Sequence, residues 1–189
     1  MFHAAASGLF LESVGNHFDM VRVGTLLYGQ YPDHTGAGVR TLDLRPTFEL
    51  RSQIVAVHWL PKRSRIGYGG EFVCSRGTRV ATVPVGYAQG LAVVPESVAR
   101  RMRFTLRSLR EAWQARRGRT EQLPHAKIGA HDRAPIIGRV SMDQCCLDVT
   151  DIPQADRGIE VVLPVRRVLT SPGIPRVYEA LSDDETGAC

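Results

Sequence analysis

Tyr68 stands between glycines in IGYGGEF, residues 66–72, just after an apolar strand-like run. A phenol normally titrates near pH 10, so its use as a proton carrier at neutral pH requires a neighbour that favours the phenolate. Glycines on both sides would let a ligand or another backbone approach closely, yet the same heptapeptide also suits a β-turn with a buried ring. Tyr87 in PVGYAQG lies at a strand end before a turn, where binding residues often sit. RVGT, residues 22–25, could form an anion site from backbone N–H groups if a helix follows. In GRVSMDQ, residues 138–144, a buried-looking strand enters a turn at Asp143, which suits a hydrogen-bonding turn residue better than an acid or base. No Ser-His-Asp order, phosphate-binding loop or metal-ligand signature accompanies these residues.

The elements that must hold them follow from periodicity. Residues 3–12, HAAASGLFLE, can open a helix, and residues 19–29, DMVRVGTLLYG, read as a short strand, a glycine break and an apolar run. One such α/β unit cannot bury both faces of a parallel strand, so residues 1–31 read as the tail end of something larger. Residues 32–39 are a turn-prone linker. Beyond it the pattern is β: alternation over residues 47–60, a β-branched run within 78–90, two short strands within 134–153 broken at Gly138 and around Met142, and another at 159–164. Short strands with turn signals imply a mainly β fold, a small barrel or sandwich, over residues 32–180. One amphipathic helix is expected at about 95–118, with Val98, Met102, Leu106, Leu109 and Trp113 on its apolar stripe, Pro95 in its first turn and Gly118 at its end. Residues 181–189 read as a flexible tail.

Composition narrows the function classes. The chain has 189 residues, 43% hydrophobic and 23% charged, enough for about one domain with a real core. No apolar run approaches the roughly 20 residues of a membrane span, and no signal peptide is legible, so a cytoplasmic location is expected. Cys74, Cys145, Cys146 and Cys189 form no C-x-x-C pair, and unpaired thiols are expected; adjacent Cys145 and Cys146 would face opposite sides of a strand. The net charge is +5, carried mostly by arginine, with Lys62 and Lys127 the only lysines. Much of the excess falls in residues 100–119, where a solvated arginine face around a core-docking stripe outweighs nucleic-acid binding, since no stacking aromatics or known module accompany it.

In order along the chain, RVGTLLYG, LRPTFELRSQIVAV, IGYGGEF, RVATVPVGYAQG and APIIGRVSMDQCCLDVTDIP resemble the successive motifs of alanine racemases, fold-type III pyridoxal-phosphate enzymes. The resemblance covers roughly residues 3–180. It implies a C-terminal β domain preceded by the last strand-helix unit of an N-terminal α/β barrel, a head-to-tail homodimer, and interconversion of L- and D-alanine for peptidoglycan. Tyr68 then matches the catalytic base, acting in the partner subunit's active site. Arg22 matches the arginine that donates to the cofactor's pyridine nitrogen. Ser7 and the amides of Gly24 and Thr25 match the phosphate cradle. Tyr87 and the Met142 amide match groups that line the substrate entrance and hold the substrate carboxylate.

Departures from the family pattern are equally legible. The lysine that holds the cofactor covalently belongs to a barrel segment not represented here, and neither Lys62 nor Lys127 sits in a comparable motif. Ala6 stands where asparagine is frequent, Gln89 where aspartate is usual, the apolar LAVV where an arginine is common, and Pro172 where many members place a phosphate-binding tyrosine. The residues near 95–118 look like an insertion. The leading expectation is an isomerase portion that is inactive without a barrel domain; the alternative is a non-catalytic interaction or dimerisation module derived from the same β domain.

Overall fold

The computed structural model describes residues 1–12, 17–32, 42–92 and 123–179. The helix expected at 95–118, the 181–189 tail and nearly all of the 32–39 linker lie outside the described residues. Nine strands organise the rest: β1 (Leu50–Gln53), β2 (Ala56–Leu60), β3 (Arg65–Ile66), β4 (Phe72–Val73), β5 (Thr78–Val83), β6 (His125–Ile128), β7 (Asp132–Ile137), β8 (Cys145–Asp148) and β9 (Glu160–Leu163). Seven form one sheet in the order β1-β9-β6-β7-β8-β5-β2, and β3 and β4 form a separate hairpin. All neighbouring strands in both are antiparallel.

The sheet's two outermost strands, β1 and β2, are consecutive in the chain and separated only by Ile54 and Val55. Ile54 N–H donates to the Ile159 carbonyl at 3.0 Å and Val55 N–H to that of Thr82 at 2.9 Å, one on each side of the break. The sheet therefore curls until its edges share one bent segment, the barrel-like answer to unpaired strand edges. Residues 47–60, read as one alternating stretch in the sequence, are thus two strands, because the chain must switch partners from β9 to β5 at the bend. Three further strands carry no clear periodic signal: β3 and β4 have two residues each and β6 four.

Alternation along each strand builds two apolar clusters, one on each face. Inside the curl lie Leu50, Ala81, Val83, Ala126, Ile128, Ala134, Ile136, Cys145, Leu147, Val161 and Leu163. Outside it, Val80 and Ile137 are covered by Ile66, Phe72 and Cys74, with Cys146 packed against them. Cys145 and Cys146 do face opposite sides, and Cys74, Cys145 and Cys146 are free thiols. The outer cluster fixes the β3–β4 hairpin. With only two residue pairs, Arg65 with Val73 and Ile66 with Phe72, the hairpin has little stability of its own. Burial of Ile66 and Phe72 on the sheet, worth about 1.5–3 kcal/mol each, holds it in place.

Residues 1–12 and 17–29 make a smaller unit. Arg22 forms a parallel bridge with Ala6, its N–H donating to the Ala5 carbonyl at 2.7 Å, while Asp19 N–H donates to that of Phe2 at 3.1 Å. A short helix, α1 (Ser7–Glu12), follows the first of these stretches and a 3-10 turn (Thr25–Tyr28) follows the second. Arg167 ties this unit to the sheet domain, its guanidinium lying 5.4 Å from the Tyr28 ring centroid and 5.7 Å from that of Phe48. No helix among the described residues is long and apolar enough to cross a membrane.

Candidate active site

Two groups of site residues emerge. The first lies where the paired stretches of the N-terminal unit end. Ser7 begins α1, Gly24 precedes the 3-10 turn, and the Ser7 Oγ accepts the Gly24 N–H at 3.1 Å. That bond engages the Gly24 amide and leaves the Ser7 hydroxyl proton to be given elsewhere. The Thr25 amide precedes the turn's first internal bond, Leu27 N–H to the Gly24 carbonyl, so it too belongs to the donor-rich start of the turn. Space beside Gly24 is open, with no atom within 4 Å of where a Cβ would stand. Arg22 exposes its side chain from the same end. Carboxyl ends of adjacent parallel strands are the usual ligand position in α/β folds.

A hydroxyl proton, a turn amide and an arginine beside open space are the chemistry of a phosphate and pyridine contact, so this donor set fits that end of pyridoxal phosphate. The chain's lysines belong elsewhere: Lys62 is exposed in the loop between β2 and β3, and Lys127 on β6 lies 3.8 Å from Glu49.

The second group is built on the sheet domain, where Tyr68, Tyr87 and Met142 sit on three loops joined backbone to backbone. The first joint is between Gly67 and Gly138. A Cβ on Gly67 would lie 2.6 Å from the Arg139 amide nitrogen, and one on Gly138 would meet Ile66 at 3.0 Å. Gly67 also has φ +79° and ψ 175°, a conformation that is nearly glycine's alone. The second joint is at Gly86, where a Cβ would lie 2.2 Å from the Ser141 carbonyl oxygen. Tyr87 N–H donates to that oxygen at 3.0 Å and Ala88 N–H to the Met142 carbonyl at 2.9 Å.

These bonds orient the Met142 amide. The Ser141–Met142 peptide is trans, so with its carbonyl turned to Tyr87 its N–H points the opposite way. Ser141, buried, donates both its amide (3.0 Å) and its hydroxyl (2.8 Å) to the Gln144 carbonyl, which pinches the loop and projects Met142 and Asp143 outward. Tyr68, Tyr87 and Met142 are 65%, 51% and 56% exposed, so the heptapeptide's turn presents its phenol to the surface rather than burying it. Among the described residues no group of three or more His, Cys, Asp or Glu could hold a metal ion.

Sequence reasoning did not foresee what secures these loops. Gln89 is one such residue: its Oε1 accepts the Gly86 N–H at 2.8 Å, fixing the turn that starts Tyr87. Around Tyr68, Arg65 Nη1 donates to the Gly70 carbonyl at 3.3 Å, and Glu71 pairs with Arg139. A cavity of about 280 Å³ lies beside this turn, lined by Arg65, Gly69, Gly70, Glu71 and Val73. None of these pairs has a sequence signal, because each joins residues that only the fold brings together or that lie across a turn.

A curled β domain presenting an exposed tyrosine and two further loops is thus joined to a strand–turn unit with an open, donor-lined end. Residues 47–109 and 115–174 match the family model described as alanine racemase, C-terminal domain, and the chain belongs to that family. The alanine racemase of Sorangium cellulosum is 40% identical over 160 residues, covering 85% of this chain and 34% of the relative. That of Clostridium kluyveri is 33% identical over 157 residues, covering 83% of this chain and 33% of the relative. Among solved structures, the biosynthetic alanine racemase from Pseudomonas aeruginosa superposes with a TM-score of 0.60 at 27% identity, over 86% of this chain and 38% of the other. The Bartonella henselae alanine racemase, solved with covalently bound pyridoxal phosphate, gives 0.56 at 25% identity, over 86% and 37%. The chain thus spans about a third of the length of the curated relatives it matches.

Proposed function

We propose that this chain is the β-domain portion of an alanine racemase, acting in the cytoplasm on L- and D-alanine with pyridoxal phosphate once a barrel domain completes the site. The observation that carries this is the convergence of Tyr68, Tyr87 and Met142 on three surface loops locked through Gly67 and Gly86. Residues so exposed and so firmly held suit a half-site facing another subunit.

When bound, pyridoxal phosphate supplies the electron withdrawal that lets an α-proton leave. Ser7 and the Thr25 amide donate to its phosphate oxygens. Arg22 donates to the pyridine nitrogen and, because a guanidinium keeps its protons, holds that nitrogen without one. The Met142 N–H, turned away from Tyr87, donates to the substrate carboxylate, and Tyr87 bounds the entrance. Tyr68 takes the α-proton on its phenolic oxygen from one face and returns one to that face in the reverse direction. Inversion needs a second proton carrier on the opposite face, a role for a lysine of the barrel.

The test is complementation. The full 189-residue chain, mixed with a separately expressed racemase barrel, is expected to restore alanine racemisation, and Tyr68→Phe to abolish it. Stable association without turnover would support a non-catalytic dimerisation module instead.

A further inference from the structure

We propose that Arg65 and the Glu71–Arg139 ion pair are positioning residues that hold the turn bearing Tyr68, a proposal that rests on Tyr68 being the proton carrier. The β3–β4 hairpin is pinned to the sheet at its base, where Ile66 and Phe72 are buried. Its tip is different. Residues 67–71 rise into solvent, and three of them are glycines at positive φ: Gly67 (+79°), Gly69 (+70°) and Gly70 (+61°). Glycine loses more backbone freedom on ordering than any other residue, so such a tip would sample many conformations unless other bonds restrain it.

Each flank of the tip has one charged restraint. On the β3 side, the Arg65 stem packs under Gly70, with Cδ 3.0 Å and Cβ 3.1 Å from where a Gly70 Cβ would stand. Its guanidinium then reaches the Gly70 carbonyl at 3.3 Å. On the β4 side, Glu71 pairs with Arg139, whose own backbone is the surface against which Gly67 rests. The tip is thereby fixed at Gly67, Gly70 and Glu71, which brackets Tyr68 on both sides. Arg65, Glu71 and Arg139 are all exposed and none is a member of either core cluster, so the stability of the domain does not rest on their charges. What they restrain is the direction of the phenol.

The experiment uses the full chain without cofactor, so that it does not depend on turnover. Amide hydrogen exchange is compared for residues 68–72 and for β5 in wild type, Arg65→Met, Arg65→Lys and Glu71→Gln, together with 13C relaxation of the Tyr68 ring. Arg65→Met keeps the stem and loses the donor. Faster exchange at the tip by threefold or more and a more mobile Tyr68 ring, with β5 unchanged and with recovery in Arg65→Lys, is the expected result. Unchanged exchange and ring order in both Arg65→Met and Glu71→Gln overturns the proposal. So does equal loss of protection in β5, which would mean a general stabilising role. In the complemented enzyme the expected signature is a fall in kcat with little change in KM. A looser tip in a chain that no barrel activates would leave the positioning role standing and sink the racemase reading.

Discussion

Gly67 and Arg139 touch backbone to backbone, so closely that a single methyl group on Gly67 would sit 2.6 Å from the Arg139 amide nitrogen. Gly67 also occupies φ +79°, ψ 175°. Space and conformation both demand glycine here, and the consequence is specific to the loop that carries Tyr68. Gly67→Ala is expected to cost about 2–3 kcal/mol, or to push the turn off the sheet. Gly69→Ala is the control. It has a positive φ of +70° but its nearest neighbour is 4.0 Å away, so only the left-handed strain of about 1 kcal/mol remains. Urea midpoints of the two variants should differ in that order, and equal midpoints would refute the close approach.

Gln89 caps the neighbouring loop. Its side-chain oxygen takes the Gly86 N–H at 2.8 Å, immediately before Tyr87. Gln89→Ala removes the acceptor and should lower stability by about 1 kcal/mol. Gln89→Glu retains an acceptor of the same length and is expected to stay within roughly 0.5 kcal/mol of wild type. Chemical denaturation reads both, and an alanine variant as stable as wild type would show that the cap contributes nothing.

The contrast between Gly67 and Gln89 explains how far the sequence could be read. The opposite facing of Cys145 and Cys146 was legible, because adjacent residues of a strand alternate, and Cys145 lies in the inner cluster while Cys146 packs on the outer one. The break at Gly138 was legible for the same reason, since a glycine inside an apolar run interrupts the period. Family resemblance named Tyr68, Tyr87 and Met142, and the fold sets all three on loops joined through Gly67 and Gly86. The tie between Arg139 and Glu71 spans 68 residues and leaves no local trace. The bend at Ile54 and Val55 shifts the phase of the alternation: Leu50 and Ile54 belong to the inner cluster before it, whereas after it Val57 packs there and Leu60 packs on the outer cluster, a switch masked by the all-apolar run of residues 54–57.

Arg167 is expected to couple the N-terminal unit to the sheet. Its guanidinium faces both the Tyr28 and Phe48 rings, at 5.4 and 5.7 Å, while its backbone N–H, which a substitution keeps, donates to the Gln30 Oε1 at 3.3 Å. Contacts of this kind are worth about 0.5–1 kcal/mol each at exposed sites. Arg167→Met should therefore increase proteolytic cleavage between residues 17 and 32 severalfold while the thermal transition of the sheet domain shifts by no more than a few degrees. Unaltered cleavage would mean that Gln30 and its partners hold the junction without the arginine.

The last expectation concerns alkaline pH. Burial pushes the Cys145 thiol up to about 12, with a smaller contribution from the neighbouring Cys146. The neutral thiol is thus favoured in the folded state, whereas the unfolded thiol ionises near pH 8.5. Stability from this group is fully present below that value and is lost as pH rises toward the folded pKa, by about 1.4 kcal/mol per unit across the window. Cys145→Ala lacks the titration but leaves a small gap among Ala81, Val83 and Leu147, so it should be less stable than wild type at pH 7. Urea midpoints measured from pH 7.5 to 10.5 should show the two proteins converging as wild type loses its advantage. Curves that stay parallel across that range would mean that Cys145 ionises as easily in the folded chain as in the unfolded one.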